Sequence, residues 1–128
     1  MRPVLACSLL ALGACASMHS LNDSHWLAED IDGRGVVDNV QSTLEISASG
    51  HVAGRGGCNR YVGSVEIKGN SIQFGELAST RMACPEALMN QEDRFLQALR
   101  DVRSWKIEDT KLLLFDAAGN IRLRFDSL

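Results

Sequence analysis

The chain has 128 residues, of which 45% are hydrophobic and 23% are charged, and its formal net charge is −3. This length accommodates a single domain with a modest core. The acidic balance argues against nucleic acid and against an anionic membrane surface as partners, because both usually require a basic protein surface.

The first fourteen residues have the composition of an export signal. Arg2 provides the positive start, residues 4–12 are almost continuously apolar, and Gly13 and Ala14 are small. The apolar run is shorter than the roughly 20 residues that a membrane-spanning helix needs. We therefore expect residues 1–14 to be a cleaved signal peptide.

The signal ends in Leu12-Gly13-Ala14-Cys15, which resembles the lipobox of bacterial lipoproteins. The resemblance implies that Cys15 is diacylated and becomes the first residue, and two or more acyl chains suffice for stable anchoring. The alternative is an ordinary signal peptide cut after Ala14 or Ala16. In lipoproteins an aspartate after the cysteine favours the inner membrane. Since Ala16 stands there, the resemblance implies the outer membrane, on its periplasmic face.

Residues 15–24 are small and polar, as in a short tether, and the rest of the chain alternates apolar and polar residues between glycine-containing turns. This pattern predicts antiparallel strands and hairpins, for example at residues 65–67 and 72–74. Residues 112–115 are apolar on both faces, which is typical of a covered strand. Arg122 and Arg124 are expected on the solvated face of the last strand, with an inward pocket as the functional alternative.

One helix is predicted between Pro85 and about residue 103, with Pro85 at its first position. The residues that recur at three- and four-residue steps are Leu88, Glu92, Phe95, Leu96, Leu99 and Val102. Their apolar members form a stripe that can pack on a sheet. The predicted fold is α+β: an antiparallel sheet or partial barrel of about seven to nine short strands with one packed amphipathic helix.

Two cysteines, Cys58 and Cys84, remain in the body of the chain. In an oxidising compartment we expect them to pair, closing a loop of 26 residues. A redox couple is the alternative. Because the spacing is not Cys-x-x-Cys and no histidine is adjacent, a structural bridge is favoured.

Several segments together resemble the META domain family, which includes the HslJ-like heat-shock lipoproteins of bacterial envelopes. They are Gly56-Gly57-Cys58-Asn59-Arg60-Tyr61, Thr80-Arg81-Met82-Ala83-Cys84, Trp26, Glu92, Phe95 and the hairpin at residues 112–125. The resemblance implies a META domain over residues 25–128, a compact mixed α/β domain without known catalysis. It also implies a loose link to envelope stress and a fold similar to that of small pilot lipoproteins.

Four polar residues flank the two cysteines, namely Asn59, Arg60, Thr80 and Arg81. A disulfide would bring both segments together into a cluster that could bind an anion or a carboxylate. The favoured interpretation is structural, with Asn59 satisfying backbone groups of a tight turn and the arginines capping carbonyls or pairing with acids. Arg60 and Arg81 are the candidates if a polar recognition site exists.

No catalytic residue, metal site or cofactor is expected. His19, His25 and His51 lack the spacing of metal ligands, and no Gly-x-Ser-x-Gly elbow is present. Trp26 and Trp105 are expected in the core.

These features predict a non-enzymatic, monomeric, membrane-anchored periplasmic lipoprotein that interacts with another envelope protein or serves in envelope stress, without nucleic acid as a partner. One alternative is a module that binds a lipid or hydrophobic ligand between the helix stripe and residues 112–125. Another is an inhibitor of an envelope-attacking hydrolase.

Overall fold

The computed structural model describes residues 20–128. The predicted signal peptide, the predicted lipidation site Cys15 and His19 lie outside the described residues. Within this part of the chain, no helix combines the length and the apolar character that crossing a membrane requires.

Residues 20–128 form eight strands and one helix. In chain order they are β1 (Ser24–Ile31), β2 (Thr43–Ile46), β3 (His51–Arg55), β4 (Arg60–Lys68), β5 (Ser71–Ser79), α1 (Glu86–Asp101), β6 (Val102–Glu108), β7 (Lys111–Asp116) and β8 (Ile121–Ser127). Each strand pairs antiparallel with the next, and β8 pairs with β1, so the sheet is a closed barrel. The α+β prediction is confirmed, and the sheet closes completely.

The helix covers one end of the barrel. Phe95 of α1 makes edge-to-face contacts with Tyr61 of β4 at 5.9 Å and with Phe125 of β8 at 6.1 Å between ring centroids. In a ring of eight strands β4 and β8 stand opposite each other, so a side chain that reaches both lies near the barrel axis. All three rings are buried, and they join the helix to the core of the barrel.

The two ends of the barrel differ in what they carry. The turn end holds the start of β1 at Ser24, which pairs with Ile46, and the turns at residues 47–50 and 69–70. The helix end holds α1 and the loops at residues 32–42, 56–59 and 80–85. The described chain therefore enters the barrel at the end opposite to α1.

The predicted helix limits were slightly wrong. The helix begins at Glu86 and ends at Asp101, and Pro85 precedes it with an extended backbone (φ −51°, ψ 146°). Arg103 belongs to β6, but its guanidinium donates hydrogen bonds to the carbonyl oxygens of Arg100 and Val102 at 2.8 and 2.7 Å. The side chain thus satisfies carbonyls where the helix ends.

Two further side chains differ from their predicted environments. Arg122 does not lie free in solvent, because it forms ion pairs with Asp32 and Asp101. These acids raise the pKa of its guanidinium, with the hydrogen bond to Asp32 as the main cause. Trp105 is only partly buried, and its indole donates a hydrogen bond to the carbonyl oxygen of Gly69 at 2.9 Å. Trp26 is in the core, as predicted.

Candidate functional site

The disulfide between Cys58 and Cys84 joins two loops of the helix end. Their Cα atoms lie 6.3 Å apart, and the bridge ties the loop between β3 and β4 to the loop that precedes α1. The predicted pairing is confirmed.

A buried carboxylate lies beside this disulfide. Glu92 of α1 is 3% exposed, and its Oε1 accepts hydrogen bonds from the backbone N–H groups of Cys58 at 3.1 Å and Asn59 at 2.5 Å. Its Oε2 accepts a third bond from Asn59 Nδ2 at 2.8 Å. A charge that is removed from water needs such donors, so this carboxylate is held in place by the loop at residues 56–59.

Gly56 makes room for this carboxylate. A Cβ at this position would lie 2.6 Å from Glu92 Cγ and 2.9 Å from Glu92 Oε1. No side chain can be added there unless Glu92 moves and its hydrogen bonds change. The glycine is therefore required by close approach.

Asn59 links three segments of the helix end. Its Oδ1 accepts hydrogen bonds from the backbone N–H of Met82 at 2.7 Å and from the Thr80 hydroxyl at 3.3 Å, while its amide nitrogen donates to Glu92. The side chain is 2% exposed. It therefore connects the loop at residues 56–59, the loop at residues 80–85 and α1.

A second buried amide on the helix holds the long loop between β1 and β2. Gln91 Oε1 accepts a hydrogen bond from the Val37 N–H at 2.7 Å, and its Nε2 donates to the Val40 carbonyl at 3.2 Å and to Ser42 Oγ at 3.0 Å. Ser42 Oγ in turn donates to the Gly56 carbonyl. Gln91 thus holds the loop that precedes β2, and the adjacent Glu92 holds the loop that follows β3.

Burial also acts on the single tyrosine of the chain. Tyr61 is 1% exposed, and its hydroxyl donates a hydrogen bond to the Thr43 carbonyl at 2.6 Å. Burial, with a smaller contribution from the charge of Glu45, raises the pKa of this phenol well above its usual value. The phenol is therefore a neutral donor beneath the helix.

A cleft of about 520 Å³ lies between the end of β5 and α1, and we call it the helix-end cleft. Its lining residues are Asn59, Ser79, Thr80, Arg81, Met82, Ala83, Met89, Glu92, Asp93, Leu96, Gln97 and Arg100. Arg81, Asp93 and Arg100 are exposed, and none of them forms an ion pair with another residue of the described part. The cleft thus has unpaired charges at its surface over a buried polar floor.

The predicted recognition residues do not all meet in this cleft. Asn59, Thr80 and Arg81 line it, whereas Arg60 is exposed at the start of β4 and is not part of the lining. The side chains of Asn59 and Thr80 bond to each other, and Asn59 also bonds to Glu92 and Met82, so both serve to hold the loops together. Arg81 has the free guanidinium that a recognition role requires, and that role stays a prediction.

The turn end carries a separate groove of about 610 Å³ along strands β1 to β4, which we call the turn-end groove. It is lined by Ile46, Val52, Ala53 and Val62 together with His25, Glu45 and His51. Val62 is 59% exposed. His25 and Glu45 approach to 2.7 Å at the surface.

Sequence reasoning did not select Glu92 or Gln91 as site residues. Glu92 occupies one of the repeating positions of the helix, between Leu88 and Phe95, and a charged residue at such a position indicates a buried, partnered carboxylate. Gln91 carries no comparable signal. Among residues 20–128, no group of three or more His, Cys, Asp or Glu side chains is arranged to hold a metal ion.

One of the comparisons with known proteins identifies a family. The sequence model of the META domain matches residues 19–127. An NMR structure of a protein from Burkholderia xenovorans is 31% identical with a TM-score of 0.69, over 84% of this chain and 83% of that chain. The search of curated proteins finds no match to the sequence.

Two other solved structures are similar to this chain in fold only. A second NMR structure is 19% identical with a TM-score of 0.66, over 85% of this chain and 95% of that chain. A crystal structure of a DUF4847 family protein from Bacteroides vulgatus is 16% identical with a TM-score of 0.51, over 66% of this chain and 57% of that chain. They indicate that this fold recurs in proteins of low sequence identity.

Proposed function

This chain belongs to the META domain family, and we propose that it is a non-catalytic, lipid-anchored protein of the bacterial envelope that binds another envelope protein through its helix end. Cys15 carries the lipid in this proposal, at the periplasmic face of the outer membrane. The protein acts as a monomer, without cofactor or nucleic acid, in a role related to envelope stress.

The position of the chain entry is the observation that supports this proposal. The six residues from Cys15 to Ser20 are joined by five Cα–Cα steps, which span at most about 18 Å when extended. An anchor at Cys15 therefore keeps the turn end close to the membrane. The helix end is at the other end of the barrel and faces away from the membrane. The helix-end cleft, with the free charges of Arg81 and Arg100, is then the part that a periplasmic partner reaches most easily.

The chemistry of the helix end supports binding over catalysis. Glu92 and Asn59 are engaged in hydrogen bonds that hold loops, and the two cysteines are joined. A general acid or base needs a proton-accepting atom that can reach a substrate. Both oxygens of the Glu92 carboxylate already accept bonds from the protein's own donors.

Photo-cross-linking in intact cells tests this proposal. A photoreactive residue replaces Gln97, which is exposed in the cleft, or Lys106, an exposed control on β6 outside it. We expect a protein adduct from position 97 and none from position 106, and Cys15→Ala should weaken that adduct. Equal adducts from both positions, or none from position 97 in unstressed and stressed cells, would count against the proposal. Intact-mass analysis tests for the acyl chains independently.

A hydrophobic ligand is the second candidate, and the turn-end groove is its place. The region between the helix and residues 112–125 is filled, because Leu112, Leu114 and Phe125 are fully buried and Phe95 contacts Phe125. The exposed Val62 lies in the groove instead. Native mass spectrometry should then show an acyl ligand on the wild-type protein that Val62→Asp removes. A protein that takes up no fatty acid would end this candidate.

No feature of residues 20–128 favours the alternative of a hydrolase inhibitor, and it stays a prediction. Unchanged lysozyme kinetics in the presence of the protein would dismiss the version in which lysozyme is the target.

A further inference from the structure

One edge of β5 lacks a strand partner over half of its length. Strand β5 pairs with β4 from Ser71 to Ser79, but it pairs with β6 only through Ser71 and Ser104. Since β6 begins at Val102, two residues before Ser104, no strand within residues 20–128 lies against the far edge of β5 beyond about Gln73. Such an edge presents N–H and C=O groups that can pair with another chain.

The direction of the backbone groups identifies the free ones. The Thr80 N–H donates to the Arg60 carbonyl at 3.1 Å, so Thr80 faces β4. Alternate residues of a strand direct their N–H and C=O groups to opposite sides, so Ala78 also faces β4. Leu77 and Ser79 therefore direct their backbone groups away from β4, toward the edge without a strand.

The helix-end cleft opens at the Ser79 end of this free edge. Ser79 and Thr80 form one wall of the cleft, and Leu96, Gln97 and Arg100 of α1 lie on the other side. The helix packs near β5 without supplying a strand, and it leaves the volume of about 520 Å³ open between them. On the outer face, Ala78 is exposed beside its cross-strand partner Val62.

We propose that the helix-end cleft binds an extended polypeptide segment of the partner protein, which adds to β5 as a further strand through Leu77 and Ser79. This inference rests on the proposed function and names the kind of ligand for the same site. A row of unpaired backbone donors and acceptors is complemented by another extended backbone, and an acyl chain has no such groups. Alternate side chains of the segment would contact Ala78 on the outer face and Leu96 toward the helix.

Proline substitutions test whether the edge is free. Ser79→Pro removes an N–H that the structure leaves unpaired by a strand, and proline is tolerated at such edge positions. Ala78→Pro removes an N–H that faces β4. For the full chain in detergent, we expect Ser79→Pro to lower Tm by less than about 3 °C and Ala78→Pro by more than about 10 °C. Equal losses would show that the amide of Ser79 is engaged, and the proposal would be wrong.

Cross-link mapping in intact cells tests the added strand. A photoreactive residue is placed in turn at Glu76 and Ala78, both exposed on β5, with Lys106 as the control. We expect adducts with one protein, with attachment points about two residues apart in a single segment of that protein. Ser79→Pro should lower the adduct yield at least ten-fold, whereas Ser79→Ala, which keeps the N–H, should not change it.

The outcomes separate this inference from the proposed function. Adducts from Gln97 that persist in the Ser79→Pro variant, or attachment points without the two-residue step, would keep the helix end as an interaction site but overturn strand addition. The absence of adducts from Gln97, Glu76 and Ala78 alike would overturn both.

Discussion

At the helix end of the barrel Asn59, Gln91 and Glu92 are buried and bonded to loops, whereas at the turn end His25 and Glu45 meet at the surface. Glu92 is 3% exposed and accepts three hydrogen bonds, while the side chains of His25 and Glu45 are 47% and 45% exposed and form one contact. The donor–acceptor distances are similar, at 2.5 to 3.1 Å for Glu92 and 2.7 Å for the pair of His25 and Glu45. The surroundings decide how much each contact contributes, because water competes with the exposed pair and not with the buried one.

The difference follows from the connections at each end. The turn end is closed by short hairpins, which need few side chains to hold them. The helix end carries a long loop at residues 32–42 and the loop at residues 80–85, whose backbone groups cannot all be satisfied locally. Gln91 supplies partners to the first loop and Asn59 to the second, while the disulfide ties the second loop to residues 56–59.

Removal of the buried carboxylate should have the largest effect. Glu92→Ala leaves the N–H groups of Cys58 and Asn59 without an acceptor in a buried site, and we expect a loss of about 4 kcal/mol. The neighbouring Asp93→Ala, at an exposed position, is the matched control and should change little. Urea unfolding of both variants measures the difference. A Glu92→Ala protein as stable as the Asp93→Ala protein would refute the role of this network.

Loss of the disulfide should come next. A closed loop of 26 residues contributes about 3.5 kcal/mol in the chain-entropy model. Cys58→Ala, or Cys84→Ala, should therefore lower Tm by well over 5 °C in a domain of this size. Differential scanning calorimetry with and without reductant checks this for the wild type. Equal midpoints in the two conditions would contradict a stabilising bridge.

Two glycine substitutions compare the ends directly. Gly56→Ala forces a Cβ against Glu92 Cγ, so it should cost about 2–3 kcal/mol by overpacking. Gly69→Ala lies in the turn between β4 and β5, with φ +57° and no atom within 4 Å, so it should cost only about 1 kcal/mol of backbone strain. Chemical unfolding of both proteins provides the comparison, and the reverse order would show that Glu92 moves aside easily.

Because Tyr61 is buried, the stability of the fold should fall at alkaline pH. Its raised folded-state pKa means that the stabilisation is complete below the unfolded value of about 10 and is lost as pH rises above it. Because Tyr61 is the only tyrosine, phenolate absorbance reports it alone. We expect the phenolate to appear only as the protein unfolds, and Tyr61→Phe should flatten the pH dependence above pH 10. Titration of the phenol in the folded protein would contradict its burial.

The exposed pair at the turn end should matter least. His25→Ala is expected to change stability by less than about 0.5 kcal/mol, because both side chains are largely solvated. Added salt should have an equally small effect on the wild type at this site. A loss as large as that of Glu92→Ala would erase the distinction between the two ends.

Local patterns in the sequence predicted the elements better than their arrangement. The alternation at residues 65–67 and 72–74 correctly indicated a hairpin, and the stripe around Phe95 indicated the helix. Closure of the barrel depends on β1 pairing with β8, about 95 residues apart along the chain, and no local period specifies such a pairing.

The absence of long-range information in local patterns also explains why the candidate site could be predicted only in part. The position of Glu92 within the helix repeat indicates burial, but its partners lie 33 and 34 residues earlier and are known only from the fold. Arg122 was predicted to be solvated because its strand alternates, yet Asp32 reaches it from 90 residues away. The free edge of β5 has no sequence signature, since it arises where the helix replaces a neighbouring strand.

The contrast between the buried network around Glu92 and the free edge of β5 can be measured in one experiment. Amide hydrogen exchange of the full chain in detergent micelles, followed residue by residue by NMR, reports on both. We expect the Asn59 amide, bonded to Glu92, to exchange only through large-scale unfolding, and the Ser79 amide to exchange many times faster than its neighbour at Ala78. An Asn59 amide that exchanges as fast as that of Ser79, or a Ser79 amide as protected as that of Ala78, would contradict it.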